Sequence, residues 1–154
     1  MTIRDFVSGD RDEYMRMSDE FYSSEAVLHP ITRDNLVSTF EQCLLGNPLL
    51  RGLMLEKDGA AAGYALLSFT WSNEAGGLCV LLEEAYIVPR FRGEGLGSAL
   101  IRHVEKEYDG KARRFRLEVT QRNERAIRLY ERMGFGRLDY AQMTKDIPGR
   151  ACPH

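Results

Sequence analysis

At 154 residues the chain has room for one domain built around one core, and not for two. With 44% hydrophobic and 29% charged residues it reads as an ordinary globular protein. A formal net charge of -2 gives no whole-chain attraction to nucleic acid. The basic clusters at Lys111 to Arg116 and Arg122 to Arg132 are interleaved with Glu118, Glu124 and Glu131, as on a solvated face. Cys43, Cys79 and Cys152 are odd in number and far apart, which argues against a disulfide framework and a zinc site. In Cys152-Pro153-His154, one Cys and one His are too few to hold a metal. No apolar stretch approaches the ~20 residues of a membrane span, and Met1 to Asp5 lacks a signal-like apolar run. The expectation is a cytoplasmic protein with no membrane, metal or nucleic-acid partner.

In chain order, Thr2 to Val7 reads as a first strand. Asp10 is placed to cap a helix over Arg11 to Ser23, with Tyr14, Met17, Ser18 and Phe21 on one face. Thr32 caps a second helix carrying Leu36, Val37, Phe40 and Leu44, stopped by Gly46-Asn47-Pro48. Leu50 to Lys57 and Ala60 to Trp71 flank Asp58-Gly59 as a hairpin. After a polar turn at Ser72 to Gly77, Leu78 to Val88 is apolar until Glu83-Glu84, as in a central strand covered on both faces. Then come a helix over about Gly95 to Tyr108, a strand at Phe115 to Val119, a helix over Glu124 to Met133 ended by Gly134, and strand material at Phe135 to Lys145. The pattern predicts a single-domain, mixed α/β fold with a mostly antiparallel central sheet flanked by helices. Residues 1–147 form the domain and residues 148–154 a tail.

A strand running into Arg92-Gly93-Glu94-Gly95-Leu96-Gly97-Ser98 and then a helix is an anion site by construction. Glycines allow close approach and backbone angles barred to other residues. The free N–H groups and dipole of the helix start attract the anion, and Arg90 and Arg92 can add charge-assisted contacts. A dinucleotide unit would look similar, and Glu118 imitates its ribose-binding acid. Against it, Ser98 stands where the third glycine of G-x-G-x-x-G belongs, and a hairpin precedes the loop. No G-K-[ST] ending is present, which excludes an ATP-type phosphate loop.

Val88 to Ser98 resembles the acyl-CoA signature of the GNAT acetyltransferase superfamily, with Arg92, Gly95 and Gly97 in the defining places. Asn123 to Phe135 resembles its second signature, at the expected distance. The resemblance implies a GNAT-like fold and acetyl-CoA as acyl donor. It places Ile87 and Val88 along the pantetheine arm and the Ala85 N–H at the thioester carbonyl, an oxyanion-hole position. The N–H groups of Arg92, Gly93, Glu94, Gly95, Leu96, Gly97 and Ser98 take the pyrophosphate, and Asn123 orients the arm or the catalytic tyrosine. Tyr130 matches the tyrosine that gives the sulfur its proton. Leu82-Glu83-Glu84 is similar to the diamine acetyltransferase branch, in which the first acid of the pair is the base, pointing to Glu83.

Apart from the resemblance, an amine of pKa near ~10 is mostly protonated at neutral pH, so a base is useful. Glu83 and Glu84 end an apolar strand, where desolvation raises a carboxylate pKa. Strand alternation puts them on opposite faces, unless a bulge changes the facing. The resemblance places the acceptor pocket among the first two helices and the meander, where Phe21, Tyr22, His29, Phe69 and Trp71 are candidates and His29-Pro30 a candidate lid. The implied partner is a small amine, cationic if Glu83, Glu84 and Glu25 face it, and a homodimer is common in such proteins. A GNAT-like sensor that binds acyl-CoA without turnover is the competing reading.

Overall fold

The alternation of apolar residues along the middle of the chain sorts them onto two faces of one sheet, seen in a computed structural model that describes residues 1–147. The strands are β1 (Thr2–Asp5), β2 (Leu50–Lys57), β3 (Ala60–Ser72), β4 (Gly77–Ile87) and β5 (Ala112–Leu117). The helices are α1 (Arg11–Tyr22), α2 (Arg33–Leu44), α3 (Leu96–Glu107) and α4 (Glu124–Arg132). The sheet order is β1-β2-β3-β4-β5; every neighbouring pair is antiparallel except β4 and β5. Met54, Tyr64, Leu66, Tyr86 and Val88 face α1 and α2, where Phe6, Tyr14, Met17, Leu36 and Phe40 complete one core. Leu53, Leu55, Ala65, Leu67 and Val80 face α3 and pack with Leu100 and Val104 in the other. The predicted mixed, mostly antiparallel architecture is the one found.

Local signals explain the connections. Asp58 and Gly59 both have positive φ, +51° and +75°, as a two-residue hairpin turn with the twist of its strands requires. Thr32 caps α2 by accepting from the Asn35 N–H at 3.2 Å.

Two expectations fail. Asp10 does not cap α1 with its side chain; its carboxylate accepts from the Val7 N–H at 2.8 Å and from Arg4 at 2.7 and 2.9 Å. Burial opposes the charge on Asp10, but these partners outweigh it and hold the carboxyl below its usual range. The expected strand after α4 is also not formed among the described residues. Phe135 turns inward onto Tyr130, while residues 136–147 are exposed and join no strand. Strand alternation would split their apolar residues, with Leu138 and Tyr140 on one face and Ala141, Met143 and Ile147 on the other. Neither face would then present a continuous apolar surface to bury. The Cys152-Pro153-His154 tail lies outside the described residues.

Candidate active site

The site begins where β4 loses its parallel neighbour. Pairing with β5 runs from Leu78↔Ala112 to Leu82↔Leu117 and stops, so Glu83 to Ile87 keep β3 on one edge and no strand on the other. The Val88 N–H donates to the Ala62 carbonyl at 2.9 Å, toward β3. Alternation therefore turns the backbone groups of Ala85 and Ile87 toward the open edge. The Ile87 carbonyl accepts there from Arg92 Nε at 2.8 Å. Ala85 and Ile87 thus present their backbone groups along the unpaired edge. Val88 does not: its N–H is spent on β3 and its side chain on the α1/α2 core.

A bulge sits at the same point. Leu66 pairs with Glu84 and Leu67 with Leu82, leaving Glu83 as the extra residue of β4. The extra residue puts both carboxylates on the α1/α2 face, correcting the expectation of opposite faces. Glu83 is exposed and accepts from the Ser68 hydroxyl at 2.6 Å. Glu84 is largely enclosed and accepts from the hydroxyls of Tyr22 and Tyr64, each at 2.6 Å. Burial pushes the Glu84 carboxyl up, the two tyrosine hydroxyls pull it down, and neighbouring Glu83 adds to the rise. The net direction is upward, as a general base at neutral pH requires.

The surroundings of Glu84 are aromatic. Tyr64 and Tyr86 are cross-strand partners with ring centres 6.1 Å apart, and Phe21 stands edge-on to both. The Tyr86 hydroxyl donates to Glu20 of α1. Of the five acceptor-side residues expected from sequence, Phe21 and Tyr22 reach this cluster. Phe69 packs on Tyr108 in the α3-side core, and Trp71 is 73% exposed. His29-Pro30 is exposed in the α1–α2 connection, which the Thr120 hydroxyl ties to the β5–α4 loop by donating to the Glu25 carbonyl at 3.0 Å. Sequence reasoning missed Tyr64 and Tyr86, and equal counting from the turn ends Ser72 and Gly77 would have paired Tyr64 with Ala85, because the bulge shifts the register by one. A groove along α1 holds Glu13, Glu20 and Glu56, all ion-paired with Arg16 or Arg4.

The glycine loop has the expected backbone. Gly93 and Gly95 have φ of +87° and +82°, and Gly95 is the N-cap of α3. Among the described residues, the N–H groups from Gly93 through Ser98 donate to no protein acceptor, so this row is open to an anion. The Arg92 N–H is used by Pro89, and its guanidinium lies 5.5 Å from the centre of the Tyr86 ring. Glu94 pairs with Lys57 at the end of β2. Leu96 is buried and anchors the start of α3.

Asn123 caps α4, its side-chain oxygen accepting from the Ala126 N–H at 3.2 Å, which leaves its amide free to donate. Tyr130 is largely enclosed and stands edge-on to Phe135, with ring centres 5.9 Å apart. Phe135 lines the apolar space between β4, β5 and α3 with Leu82 and Phe115, beside the point of splay. Burial raises the Tyr130 hydroxyl above its usual pKa, keeping it protonated and able to give up a proton. No described helix is long and apolar enough to cross a membrane.

Residues 12–135 match the profile of the Acetyltransferase (GNAT) family. The chain is 33% identical over 132 residues to a thialysine N-ε-acetyltransferase of Bos taurus, covering 84% of this chain and 75% of that protein. It is 41% identical over 68 residues to a spermine/spermidine N(1)-acetyltransferase of Bacillus subtilis, 40% of this chain and 43% of the other. Among solved structures, a possible acetyltransferase from Clostridium difficile 630 superposes with a TM-score of 0.79 at 18% identity, covering 96% of this chain and 98% of that one.

Proposed function

Because the chain belongs to the GNAT family of acetyltransferases and so takes acetyl-CoA as its acyl donor, we propose that it acetylates the primary amine of a small, cationic acceptor by direct attack in a ternary complex. The observation that carries this reading is the β4 bulge, which brings Glu83 and Glu84 onto one face beside the opened strand edge. Asp10, Glu13, Glu20 and Glu56 in the neighbouring groove are each paired with an arginine, whereas Glu83 and Glu84 meet only hydroxyls. The related thialysine and spermine/spermidine enzymes are named for amine acceptors, which agrees with such a site.

Acetyl-CoA, when bound, supplies the thioester carbon that the amine attacks and the thiolate that leaves. The residues of the chain do the rest. The N–H row from Gly93 to Ser98 holds the diphosphate, and the Ile87 backbone faces the pantetheine arm. The Ala85 N–H faces the developing oxyanion. Glu83, at the mouth, attracts the ammonium. Glu84 accepts a proton from the amine, because its burial gives it the raised pKa a base needs; this reverses the order the diamine branch suggests. Tyr130 donates its proton to the sulfur. Asn123 fixes the start of α4 and with it the height of Tyr130, seven residues on.

A panel of amines scored by thiol release tests the reading. Turnover should be fastest with diamines and basic amino acids bearing a free terminal amine. Reaction with anionic or neutral acceptors only would refute the cationic assignment. Binding of acetyl-CoA without thiol release from any amine would favour a sensor.

A further inference from the structure

The charge needed by a diphosphate is not supplied by the glycine loop's own side chains. Only two of them, Arg92 and Glu94, are ionised. Arg92 is drawn toward Ile87 and Tyr86, and Glu94 is cancelled by Lys57. The loop therefore offers a row of N–H groups with one cationic side chain of its own, Arg92, which is engaged by the Ile87 carbonyl.

A cation comes from α4. This helix packs closely on the start of α3: a Cβ on Gly97 would stand 2.8 Å from Leu129 Cδ2. Four residues earlier, one turn back on the same face, is Arg125. Its Nη2 lies 3.9 Å from where a Cβ on Gly93 would stand. The i, i+4 pair of α4 thus spans the i, i+4 glycines of the loop, with Leu129 packing on Gly97 and the Arg125 guanidinium beside Gly93. Among the described residues Arg125 has no carboxylate within salt-bridge distance, whereas Arg128 of the same helix is paired with Glu124 at 3.1 Å.

We propose that Arg125 is a binding residue for the diphosphate of acetyl-CoA, closing over the loop at Gly93 opposite the N–H row. The proposal rests on reading the loop as the acetyl-CoA site. A guanidinium suits the role because its planar fork can meet two phosphate oxygens at once, which an ammonium cannot. Arg125 is exposed and packs little, so its replacement leaves the fold intact.

The test is calorimetric titration of the full chain with acetyl-CoA and with 3′-dephospho-acetyl-CoA, at low and at high salt. Arg125→Ala should weaken both ligands alike, by ~10-fold at low salt and by less at high salt. Arg125→Lys should recover part of the loss, and Arg128→Ala should bind like the wild type. Unchanged affinity in Arg125→Ala, or a loss confined to the ligand carrying the 3′-phosphate, would overturn the diphosphate assignment. A wild-type chain that fails to bind acetyl-CoA overturns the loop reading itself, and the Arg125 proposal with it.

Discussion

Replacing Tyr22 by Phe removes one of the two hydroxyls that donate to Glu84 and leaves that of Tyr64 in place. The ring keeps its edge-on contact with Phe21, at 5.3 Å between centres, so little packing is lost. Burial already pushes the Glu84 carboxyl up, and the tyrosine bonds work against that rise. Losing one bond therefore makes the ionised form harder to reach. A hydrogen bond to a charged group contributes roughly 1.5–3 kcal/mol. Tyr22 is only partly buried, so water replaces some of this. About 1 kcal/mol remains, a ~5-fold fall in the ratio of carboxylate to carboxylic acid. The assay is kcat/KM for one amine, followed by thiol release from about pH 6 to about pH 9 in wild type and variant. The expected result is a ~5-fold deficit on the acid limb that closes at the alkaline end, where Glu84 is ionised in both. An equal loss at every pH would mean that Tyr22 places the acceptor and does not tune the carboxylate. An unchanged profile would remove Glu84 as the base.

Glu84→Gln should lower kcat/KM by ~100-fold, and Glu83→Gln by less, acting mainly through KM for the amine. The same Glu84 variant reads out on stability. A carboxyl whose folded pKa is raised contributes its stability while protonated and loses it as the pH rises through that value. The neutral glutamine should therefore melt higher than wild type at mildly alkaline pH, by about 2–4 °C. The gap should close as the pH falls to the ordinary carboxylate range; a constant gap would contradict the raised pKa. Tyr130→Phe should cut turnover by ~10-fold or more with its melting temperature unchanged, and full turnover would take Tyr130 out of the mechanism. Lys57→Ala should weaken acetyl-CoA ~3-fold at low salt by exposing the charge of Glu94. Adding Glu94→Gln should restore it, while additive losses would show that the two side chains act separately.

The parts of the site legible in the sequence were those written in local backbone requirements. Gly93 and Gly95 adopt positive φ, and Asp58-Gly59 makes the turn that fixes the hairpin, so residue type alone located the loop and the meander. Glu83 and Glu84 were legible as a charged end to an apolar strand, but their facing was not, because the bulge is a property of the β3–β4 register. Tyr22 was legible as an acceptor-side aromatic, but its bond to Glu84 was not, and Tyr64 and Tyr86 were hidden altogether, for a related reason. An aromatic residue in an amphipathic pattern reads as core, and the three are core except at one oxygen, whose partner lies 20 residues or more away in the chain. Arg125 shows the same limit: its spacing from Leu129 is visible in α4, but the loop glycines it spans are not.

The bulge ties these features together. Under strict alternation from Leu82, Glu84 would enter the α3-side core beside Ala65 and Leu67, where an unpaired charge costs several kcal/mol. One extra residue keeps it on the side of Tyr22 and Tyr64. The same residue inverts the order in which β4 presents its N–H and C=O groups. A bulge locally disrupts the ladder, and the pairing with β5 ends at Leu82, one residue before it. A single insertion thus both places the acid pair and frees the edge along which Ala85 and Ile87 are presented. Deleting Glu83 should undo both at once, abolishing acetyl transfer with either acid and weakening acetyl-CoA binding. Glu83→Gln, which keeps the bulge, should leave acetyl-CoA affinity intact. If the deletion variant, shown to be folded by its melting transition, still bound acetyl-CoA like the wild type, the edge would open for a reason other than the bulge.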